Sequence, residues 1–559
     1  MKPAFRVSID LTAPETHRAR VTIRAAADEL HPVLQFPVWT PGSYLVREYA
    51  RHVTRLEPAE KVAKNQWRLK GKPSSISYEV YCFERTVRSS FLDTTHAALV
   101  GATLLPLLHE PFEVELLLPK NWGGVSSALK FQKLGGGRWR AFVKNDDDWI
   151  DKPIVAWAPG YGNSGKIRVH GITHHIAWVG QNPSRSMKDL QEMFAKVARM
   201  TLGMFGGAPF REYWCLLHFG NKMYGGLEHR DSQLSQFDGA TLHETTEWKR
   251  FIHLIAHEYF HSWNVKSLRP LALGPFDYGN ENYTQDIWFA EGLTDYFDDL
   301  IPLRAGLYEQ KDLNKYRLKD ISTFSDGHPG QQRRSLAESS FDAWIRYYRP
   351  DEDSVNTDVS YYSKGSTLGW CWDAHLQKRS RKKWNLAKLM REFWKEFGID
   401  AYEPLKDAKP GFTREQLLKF AEKKTGVPQR ALVEGWVTGR KPLPWRNAAR
   451  FFKVKWKEDV TALGVEFLGL NNKWENGKGT ITSVLSGGAA ERAGAAAQDE
   501  IIGINGIRVN DADKFKLVLK NAMRAGKEVE LCLARLDQLI IRKVRWRKHN
   551  SPGVELQPV

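Results

Sequence analysis

One short segment constrains this chain more than any other, Leu254–Asn264, which reads L-I-A-H-E-Y-F-H-S-W-N. Apolar residues recur around it at helical spacing, and positions four apart lie on one face of a helix, so the imidazoles of His257 and His261 can reach a single metal ion. Glu258 lies about 100° around the helix, beside the open position of such an ion. The segment therefore predicts a helix that carries a metal site; the alternative is an ordinary surface helix.

A catalytic zinc ion takes three protein ligands and one exchangeable water, so this interpretation requires a third ligand. Glu291 is the candidate, because it lies 30 positions beyond His261 in the apolar, helix-like stretch W-F-A-E-G-L-T-D-Y. Asp295, one turn further on, is expected to hold a ligand imidazole through its second ring nitrogen, or else to be a solvated or capping carboxylate. His253, one turn before His257, is expected to be a packed, hydrogen-bonded residue.

Two further segments extend the pattern. Tyr224–His229, Y-G-G-L-E-H, precedes the H-E-x-x-H segment and resembles the G-x-M-E-N strand of zinc aminopeptidases, and Tyr362–Gly365, Y-S-K-G, matches their Y-x-K-G. Together with H-E-x-x-H and the E-G pair at Glu291, these segments resemble in order and combination the glycyl aminopeptidase family, metallopeptidase family sixty-one. Its members are gluzincins with a thermolysin-like catalytic domain and a C-terminal PDZ domain. The resemblance covers nearly the whole chain.

The resemblance implies a zinc-dependent aminopeptidase. One Zn²⁺ ion is implied to bind three residues: His257, His261 and Glu291. Zinc lowers the pKa of its bound water to about 7, and Glu258 is implied as the general base that accepts the proton and returns it to the leaving amine. Tyr362 is implied as the hydroxyl that stabilises the oxyanion, with the neighbouring Tyr361 as the alternative.

The resemblance also assigns the substrate side of the site. Glu228 is implied to face the free α-ammonium group of the peptide, a charge-assisted contact that an internal peptide bond does not reproduce, with Gly225 and Gly226 beside the substrate. Small N-terminal residues are implied, glycine first and alanine next. The segment departs from the pattern at Leu227 and His229, where the broader aminopeptidases have Met and Asn.

Two other functions stay open at this point. A zinc endopeptidase is the nearest, because thermolysin-like enzymes use the same H-E-x-x-H motif, and cleavage of peptides with blocked N-termini discriminates it. A non-catalytic PDZ adaptor that has kept a zinc-peptidase fold is the alternative from a different class. A protein without bound zinc would favour the adaptor.

Hydrophobic periodicity divides the chain into three parts and predicts a multidomain α+β protein. Alternating apolar and polar residues predict an N-terminal antiparallel, sandwich-like β domain over residues 1–170. Helical spacing follows, and a mainly helical, thermolysin-like zinc peptidase domain is expected over residues 171–447, ending near the proline-rich junction Lys441–Pro444. Within the β domain, the aromatic segment Pro37–Tyr44 is either a core loop or part of a substrate wall.

Residues 450–545 resemble a PDZ domain through three segments: Leu463–Phe467, Gly487–Gly494 and Asp499–Gly506. The groove between the second strand and the last helix is implied to take a C-terminal peptide as an added strand, with the amides of the Gly464 loop facing the peptide carboxylate. The alternative is a PDZ domain that only packs against its neighbours.

The partners that the resemblance implies are peptides with a free N-terminus, and composition and charge add no other class. Across 559 residues, 82 Lys and Arg against 65 Asp and Glu give a net charge of +17, but no nucleic-acid-binding motif accompanies it, so no nucleic acid is expected. The chain has no run of 18 apolar residues and no apolar stretch near its N-terminus, so neither a membrane span nor a signal peptide is expected. Four widely spaced cysteines favour a reducing compartment, and the expectation is a cytoplasmic protein unless a signal segment has been removed.

Overall fold

The computed structural model describes residues 2–26, 30–324, 328–399, 411–458, 468–526, 528–545 and 556–558. Two compact units are distinguished. The first comprises Met1–Tyr283, Phe297–Tyr308 and Met390–Thr413, and the second comprises Thr284–Tyr296, Glu309–Leu389 and Arg414–Val559. Two helices have residues in both units: Leu293–Arg304 and Leu386–Phe397.

Three β-sheets build the N-terminal part of the first unit. The largest has seven strands in the order Gln132–Gly135, Arg138–Val143, Phe112–Leu117, Phe5–Asp10, Arg18–Ala25, Ser75–Tyr81 and Val53–Glu57. A second sheet has four strands in the order Gly124–Ser126, Ile154–Trp157, His96–Leu99 and Phe91–Leu92. The third has three strands in the order Val33–Gln35, Gln66–Leu69 and Ala59–Ala63.

The period-two pattern of this part is confirmed, because alternate residues such as Val7, Ile9 and Leu11 lie in one buried core. The pairing of Phe5–Asp10 with Phe112–Leu117 is parallel, an exception in an otherwise antiparallel seven-stranded sheet. Short helical turns complete this part: Pro14–Thr16, Tyr49–His52, Gly101–Thr103 and Asp146–Ile150.

A five-stranded sheet and two long helices follow in the first unit. The strand order is Gly162–Val169, Ile172–Gly180, Glu212–Phe219, Ser232–Phe237 and Tyr224–Glu228. The last of these strands pairs on one side only within the described residues. The helices are Met187–Phe205, which begins with a capping box of Ser186 and Asp189, and Thr245–Phe260, called here the metal helix. Two short 3₁₀ turns follow, Gly239–His243 and Leu271–Leu273.

Helices dominate the sequence-central part of the second unit. They begin with a π-helical turn, Trp288–Gly292, that leads directly into Leu293–Arg304. The others are Gln310–Ser322, Pro329–Arg333, Leu336–Phe341, Ser354–Thr357, Ser363–Arg379, Arg414–Thr425, Arg430–Thr438 and Trp445–Phe451. Of all the helices described in the chain, none has both the length and the apolar character that a bilayer crossing requires.

The C-terminal part of the second unit has the strands and helices of the predicted PDZ domain. Its sheet runs in the order Leu470–Glu475, Lys478–Val484, Glu500–Ile504, Glu528–Arg535 and Gln538–Arg545, with Ile507–Arg508 paired to Glu500–Ile504. Its helices are Ala489–Arg492 and Ala512–Ala525, and a separate strand pair joins Trp456–Glu458 to Leu556–Pro558. The predicted Gly464 loop lies outside the described residues.

Candidate active site

The metal helix of the first unit brings two imidazoles together. The Nε2 atoms of His257 and His261 are 3.0 Å apart, close enough to share one tetrahedral ion with metal–nitrogen bonds of about 2.0–2.1 Å. His261 follows the last helical residue, but its backbone keeps helical angles (φ −59°, ψ −21°), so the four-residue spacing still stacks the two rings. The donor set fits the zinc site that the sequence predicts.

The other ring nitrogen of each histidine is held in place. His257 donates from Nδ1 to Oδ2 of the fully buried Asp298 at 2.6 Å, and His261 donates from Nδ1 to the carbonyl oxygen of Asn264 at 2.8 Å. Because Nδ1 carries the proton in each ring, Nε2 is the atom of each histidine that can act as a metal ligand. His253 packs beside the same carboxylate, with Nδ1 3.3 Å from Asp298 Oδ1.

This arrangement corrects one assignment from the sequence. The orienting carboxylate at His257 is Asp298, whereas the expectation was Asp295. In a helix, the positions four and seven residues after Glu291 lie on nearly the same face, so spacing alone did not distinguish Asp295 from Asp298.

Two buried carboxylates lie beside the histidines. Oxygen atoms of Glu228 and Glu258 and a ring nitrogen of His261 all lie within 4.8 Å of one another. Both glutamates are buried, Glu258 on the metal helix and Glu228 at the end of the edge strand Tyr224–Glu228. The two carboxylates thus lie close to each other and to the imidazole of His261.

Two glycines make room for these carboxylates. A Cβ atom on Gly226 would lie 2.6 Å from Cγ of Glu258, so glycine there leaves room for the Glu258 side chain in its present position. A Cβ atom on Gly42 would lie 2.6 Å from Oε1 of Glu228, and Gly42 has a φ of +87°. Gly42 belongs to the segment Pro37–Tyr44, which is therefore both largely buried and part of the wall around Glu228.

A charged network supports the strand end at Glu228. Asp151 lies with Oδ1 2.6 Å from Lys266 Nζ and 3.3 Å from His229 Nδ1, and its Oδ2 accepts the backbone N–H of Arg230 at 2.9 Å. Burial alone would raise the pKa of Asp151, but the charges of Lys266 and His229 outweigh it and hold the pKa well below its usual range. The network gives His229 a structural partner, and no local signal in the sequence marks Asp151, 78 positions away.

A cavity of only about 20 Å³ lies next to Glu228. Its walls include Trp39, Pro41 and Gly42 from the N-terminal part of the unit, and Arg230 and Phe276 on other sides. The space is little larger than one water molecule requires.

In the second unit, Glu291 and Tyr362 are brought together by two glycines. A Cβ atom on Gly292 would lie 2.5 Å from the Cα of Gly365, and one on Gly365 would lie 2.8 Å from the Cα of Gly292. The π-helical turn that carries the buried Glu291 thus crosses the start of the helix Ser363–Arg379 at backbone contact. This backbone contact explains why the residue after Glu291 and the last residue of the Y-x-K-G segment are both glycine.

Tyr362 immediately precedes that helix, and its hydroxyl keeps its proton. Burial raises the pKa of Tyr362 well above its ordinary value, and the charge of Glu291 adds to the rise. The ring of Tyr362 stacks on Tyr347 at 5.4 Å, while the neighbouring Tyr361 is fully buried. Taken as a whole residue, Tyr362 is partly exposed, unlike Tyr361.

Each unit therefore holds one part of the predicted constellation. The first unit gathers four residues: Glu228, His257, Glu258 and His261. The second unit gathers two: Glu291 and Tyr362. Imidazoles, carboxylates and a protonated tyrosine are residue types that metal-assisted hydrolysis uses.

Three family models match the chain. Residues 250–368 match the M61 glycyl aminopeptidase model, residues 6–157 match the peptidase M61 N-terminal domain, and residues 461–541 match a PDZ domain. No curated protein sequence is similar enough to count as a match.

Several solved structures are similar. An aminopeptidase N family protein from Idiomarina loihiensis has 26% identity and a TM-score of 0.89, covering 99% of this chain and 98% of that one. An M1 zinc metallopeptidase from Deinococcus radiodurans has 12% identity and a TM-score of 0.48, covering 79% of this chain and 95% of that one. Legionella pneumophila aminopeptidase A, in complex with aspartic acid, has 14% identity and a TM-score of 0.47, covering 78% of this chain and 49% of that one.

Proposed function

Because this chain belongs to the M61 glycyl aminopeptidase family and is an enzyme of the zinc aminopeptidase class, we propose that it removes the N-terminal residue of peptides with a free amino group, with glycine and alanine preferred. The observation that carries the proposal is the cluster of Glu228, Glu258 and His261, with side-chain atoms within 4.8 Å of one another. It combines a base for hydrolysis with an anionic group for the peptide's α-ammonium.

One zinc ion is proposed to bind His257, His261 and Glu291. Support for Glu291 comes from the continuous helical segment that runs from Trp288 to Arg304. Glu291 lies seven residues, about two helical turns, before Asp298, and Asp298 holds His257. When bound, zinc supplies Lewis-acid polarisation of the scissile carbonyl and lowers the pKa of a bound water to about 7.

Glu258 is proposed as the general base. Its carboxylate accepts the proton of the attacking water and passes it to the leaving amine nitrogen as the peptide bond breaks. Burial beside Gly226 restricts where the carboxylate can lie, so it is presented to the substrate without reorganisation.

Tyr362 is proposed to stabilise the oxyanion that forms on the scissile carbonyl. Its raised pKa keeps the hydroxyl protonated, which is the form that donates a hydrogen bond. Tyr361 remains the less favoured alternative, because it is fully buried.

Glu228 is proposed to bind the α-ammonium group, with Gly225 and Gly226 along the peptide. The preference for small N-terminal residues is proposed from the match to the M61 glycyl aminopeptidase model. The edge strand that ends at Glu228 offers backbone groups to an extended peptide on its outer side.

The PDZ domain is proposed to bind a C-terminal peptide between the strand Leu470–Glu475 and the helix Ala512–Ala525. A cytoplasmic location is proposed from the cysteines, because Cys82, Cys215, Cys371 and Cys532 are all unpaired in the structure.

The test measures hydrolysis of glycyl and alanyl chromogenic amides. Glu258→Gln is expected to lower kcat at least a hundredfold while bound zinc, measured by elemental analysis, stays at one per chain. Glu247→Gln is the control, since Glu247 lies on the same helix and pairs with Arg250 near the surface. A chelator is expected to abolish activity and zinc to restore it.

Two outcomes contradict the proposal. Activity that survives both chelation and Glu258→Gln excludes metal-assisted hydrolysis by this site. Internal cleavage of N-acetylated peptides at the rate of free ones excludes the role of Glu228 and favours an endopeptidase.

A further inference from the structure

Asn356 joins the helical part of the second unit to the PDZ domain. It lies in the short helix Ser354–Thr357 and is only 4% exposed. Its Nδ2 donates to the carbonyl of Val484 at 2.8 Å, and its Oδ1 accepts from the backbone N–H of Ser486 at 2.8 Å. The other amide hydrogen is donated to Asp353 at 3.0 Å, so the side chain has a fixed orientation.

The PDZ segment that Asn356 holds is bonded to the edge of the proposed peptide groove. Between Val484 and Ser486, the N–H of Leu485 donates to the carbonyl of Gly469 at 2.8 Å. Gly469 leads directly into the strand Leu470–Glu475, and a Cβ atom on it would lie 2.9 Å from the Cα of Gly488. Because the two segments are in such close contact, a displacement of residues 484–488 also displaces the start of the strand Leu470–Glu475.

Between Asn356 and Tyr362, the chain is fixed by contacts with neighbouring residues. Ser339 donates from Oγ to the carbonyl of Val359 at 2.5 Å. The Tyr361 ring lies 4.5 Å from Tyr347 and 5.1 Å from the ring of Tyr362. The six residues after Asn356 are therefore held to their surroundings up to the tyrosine itself.

We propose that Asn356 is a positioning residue for Tyr362: it ties the PDZ domain to residues 354–362, so that the PDZ domain helps to hold the oxyanion donor in place. The proposal rests on the proposed function, in which Tyr362 makes that contact. An oxyanion donor stabilises the transition state only at the correct position, and a displacement of about 1 Å can lower the rate up to a hundredfold. Loss of the Asn356 amide leaves the Val484 carbonyl and the Ser486 N–H without their partner.

The experiment uses the full-length enzyme and a glycyl chromogenic amide. Asn356→Ala is expected to lower kcat about tenfold with KM nearly unchanged, because Glu228 and the metal ligands are not touched. Gln429→Ala is the matched control: Gln429 is a buried amide in the same unit that accepts from Trp372 at 2.6 Å and donates to Thr425 at 2.7 Å. The control is expected to lose comparable thermal stability and keep kcat.

A double-mutant cycle with Tyr362→Phe separates the possible results. If Asn356 acts through Tyr362, Asn356→Ala lowers kcat much less in the Tyr362→Phe background than in the wild type. Equal loss in both backgrounds, or a normal kcat in Asn356→Ala, overturns the proposal while leaving the proposed function intact. A normal kcat in Tyr362→Phe refutes the role of Tyr362 and this proposal with it.

Amide hydrogen exchange gives a readout that does not depend on activity. Faster exchange over residues 354–362 in Asn356→Ala, with no change around the metal helix, supports the proposal that Asn356 holds these residues in place. Unchanged exchange over residues 354–362 overturns it. Should Asn356→Ala fail to fold, Asn356→Asp keeps the shape and the acceptor oxygen but cannot donate to Val484, and the same loss of kcat is expected.

Discussion

The two units use glycine differently to place reactive groups. In the first unit, Gly226 makes room for a side chain, because a Cβ atom there would meet the Cγ of Glu258 at 2.6 Å. In the second unit, Gly292 and Gly365 make room for each other's backbone, with a Cβ atom on Gly365 only 2.8 Å from the Cα of Gly292. A side chain can rotate away from an added methyl group, whereas a helical backbone must shift with everything it carries. The same substitution should therefore do more damage in the second unit.

Gly365→Ala is expected to have the largest effect. The added methyl group pushes the helix Ser363–Arg379 away from the π-helical turn, so Tyr362 and Glu291 both move. We expect kcat/KM to fall by about a hundredfold or more and the free energy of unfolding to fall by about 1–3 kcal/mol. Steady-state kinetics and denaturant unfolding measure the two quantities.

Gly435→Ala is the control for that substitution. Gly435 lies in the helix Arg430–Thr438, and no atom lies within 4 Å of the position its Cβ would take. Alanine there should leave kcat/KM unchanged and stabilise the helix by about 0.5–1 kcal/mol. If Gly365→Ala behaves like Gly435→Ala, the backbone contact is not what positions Tyr362.

Gly226→Ala is expected to have an intermediate effect on catalysis and little effect on stability. The Glu258 side chain must rotate to admit the methyl group, so kcat should fall about ten- to a hundredfold, while the free energy of unfolding changes by less than about 1 kcal/mol. Gly203→Ala, in a helix with no atom within 4 Å of its Cβ position, is the control. A larger loss of stability than in Gly365→Ala would reverse the comparison between the units.

Gly42→Ala is expected to have the smallest effect on catalysis of the three. Its methyl group meets only the carboxylate end of Glu228, so KM for a glycyl amide should rise about fivefold with kcat retained. Gly42 has a φ of +87° and Gly71 one of +71°, but nothing lies within 4 Å of the Cβ position of Gly71. Both variants should lose about 1–2 kcal/mol of stability, and only Gly42→Ala should change KM. Equal KM values in the two variants would remove Gly42 from the substrate wall.

Sequence reasoning succeeded where residues are brought together by local spacing. The close approach of His257 and His261 follows from helical periodicity, because the metal helix is regular up to the residue before His261, and the roles of these residues and of Glu258 stay a proposal. The fold class and the family also follow, because alternation and ordered motifs are properties of the chain itself. The boundaries 1–170, 171–447 and 450–545 stay predictions.

It failed where the contact joins distant positions or where two candidates share one helix face. Asp298 was missed because Asp295 lies on nearly the same face one turn earlier, and Asp151 because its partner His229 is 78 positions away. Asn356 reads as an ordinary polar residue at a helix end, and only packing reveals that its partners are 128 and 130 positions further along. The glycine of the Y-x-K-G segment was recognised as part of a motif. The physical reason for it is the contact with Gly292, which is seen only in the folded structure.

The edge strand Tyr224–Glu228 has a consequence for the solubility of the protein. A strand whose outer side is unpaired within the described chain is a template on which another molecule's strand can add, which is how β-rich proteins begin to aggregate. This strand is only five residues long and contains two adjacent glycines, Gly225 and Gly226, which give it a low intrinsic tendency to pair. The residues that leave space for Glu258 thus also protect the enzyme against self-association at the edge that an extended peptide would use.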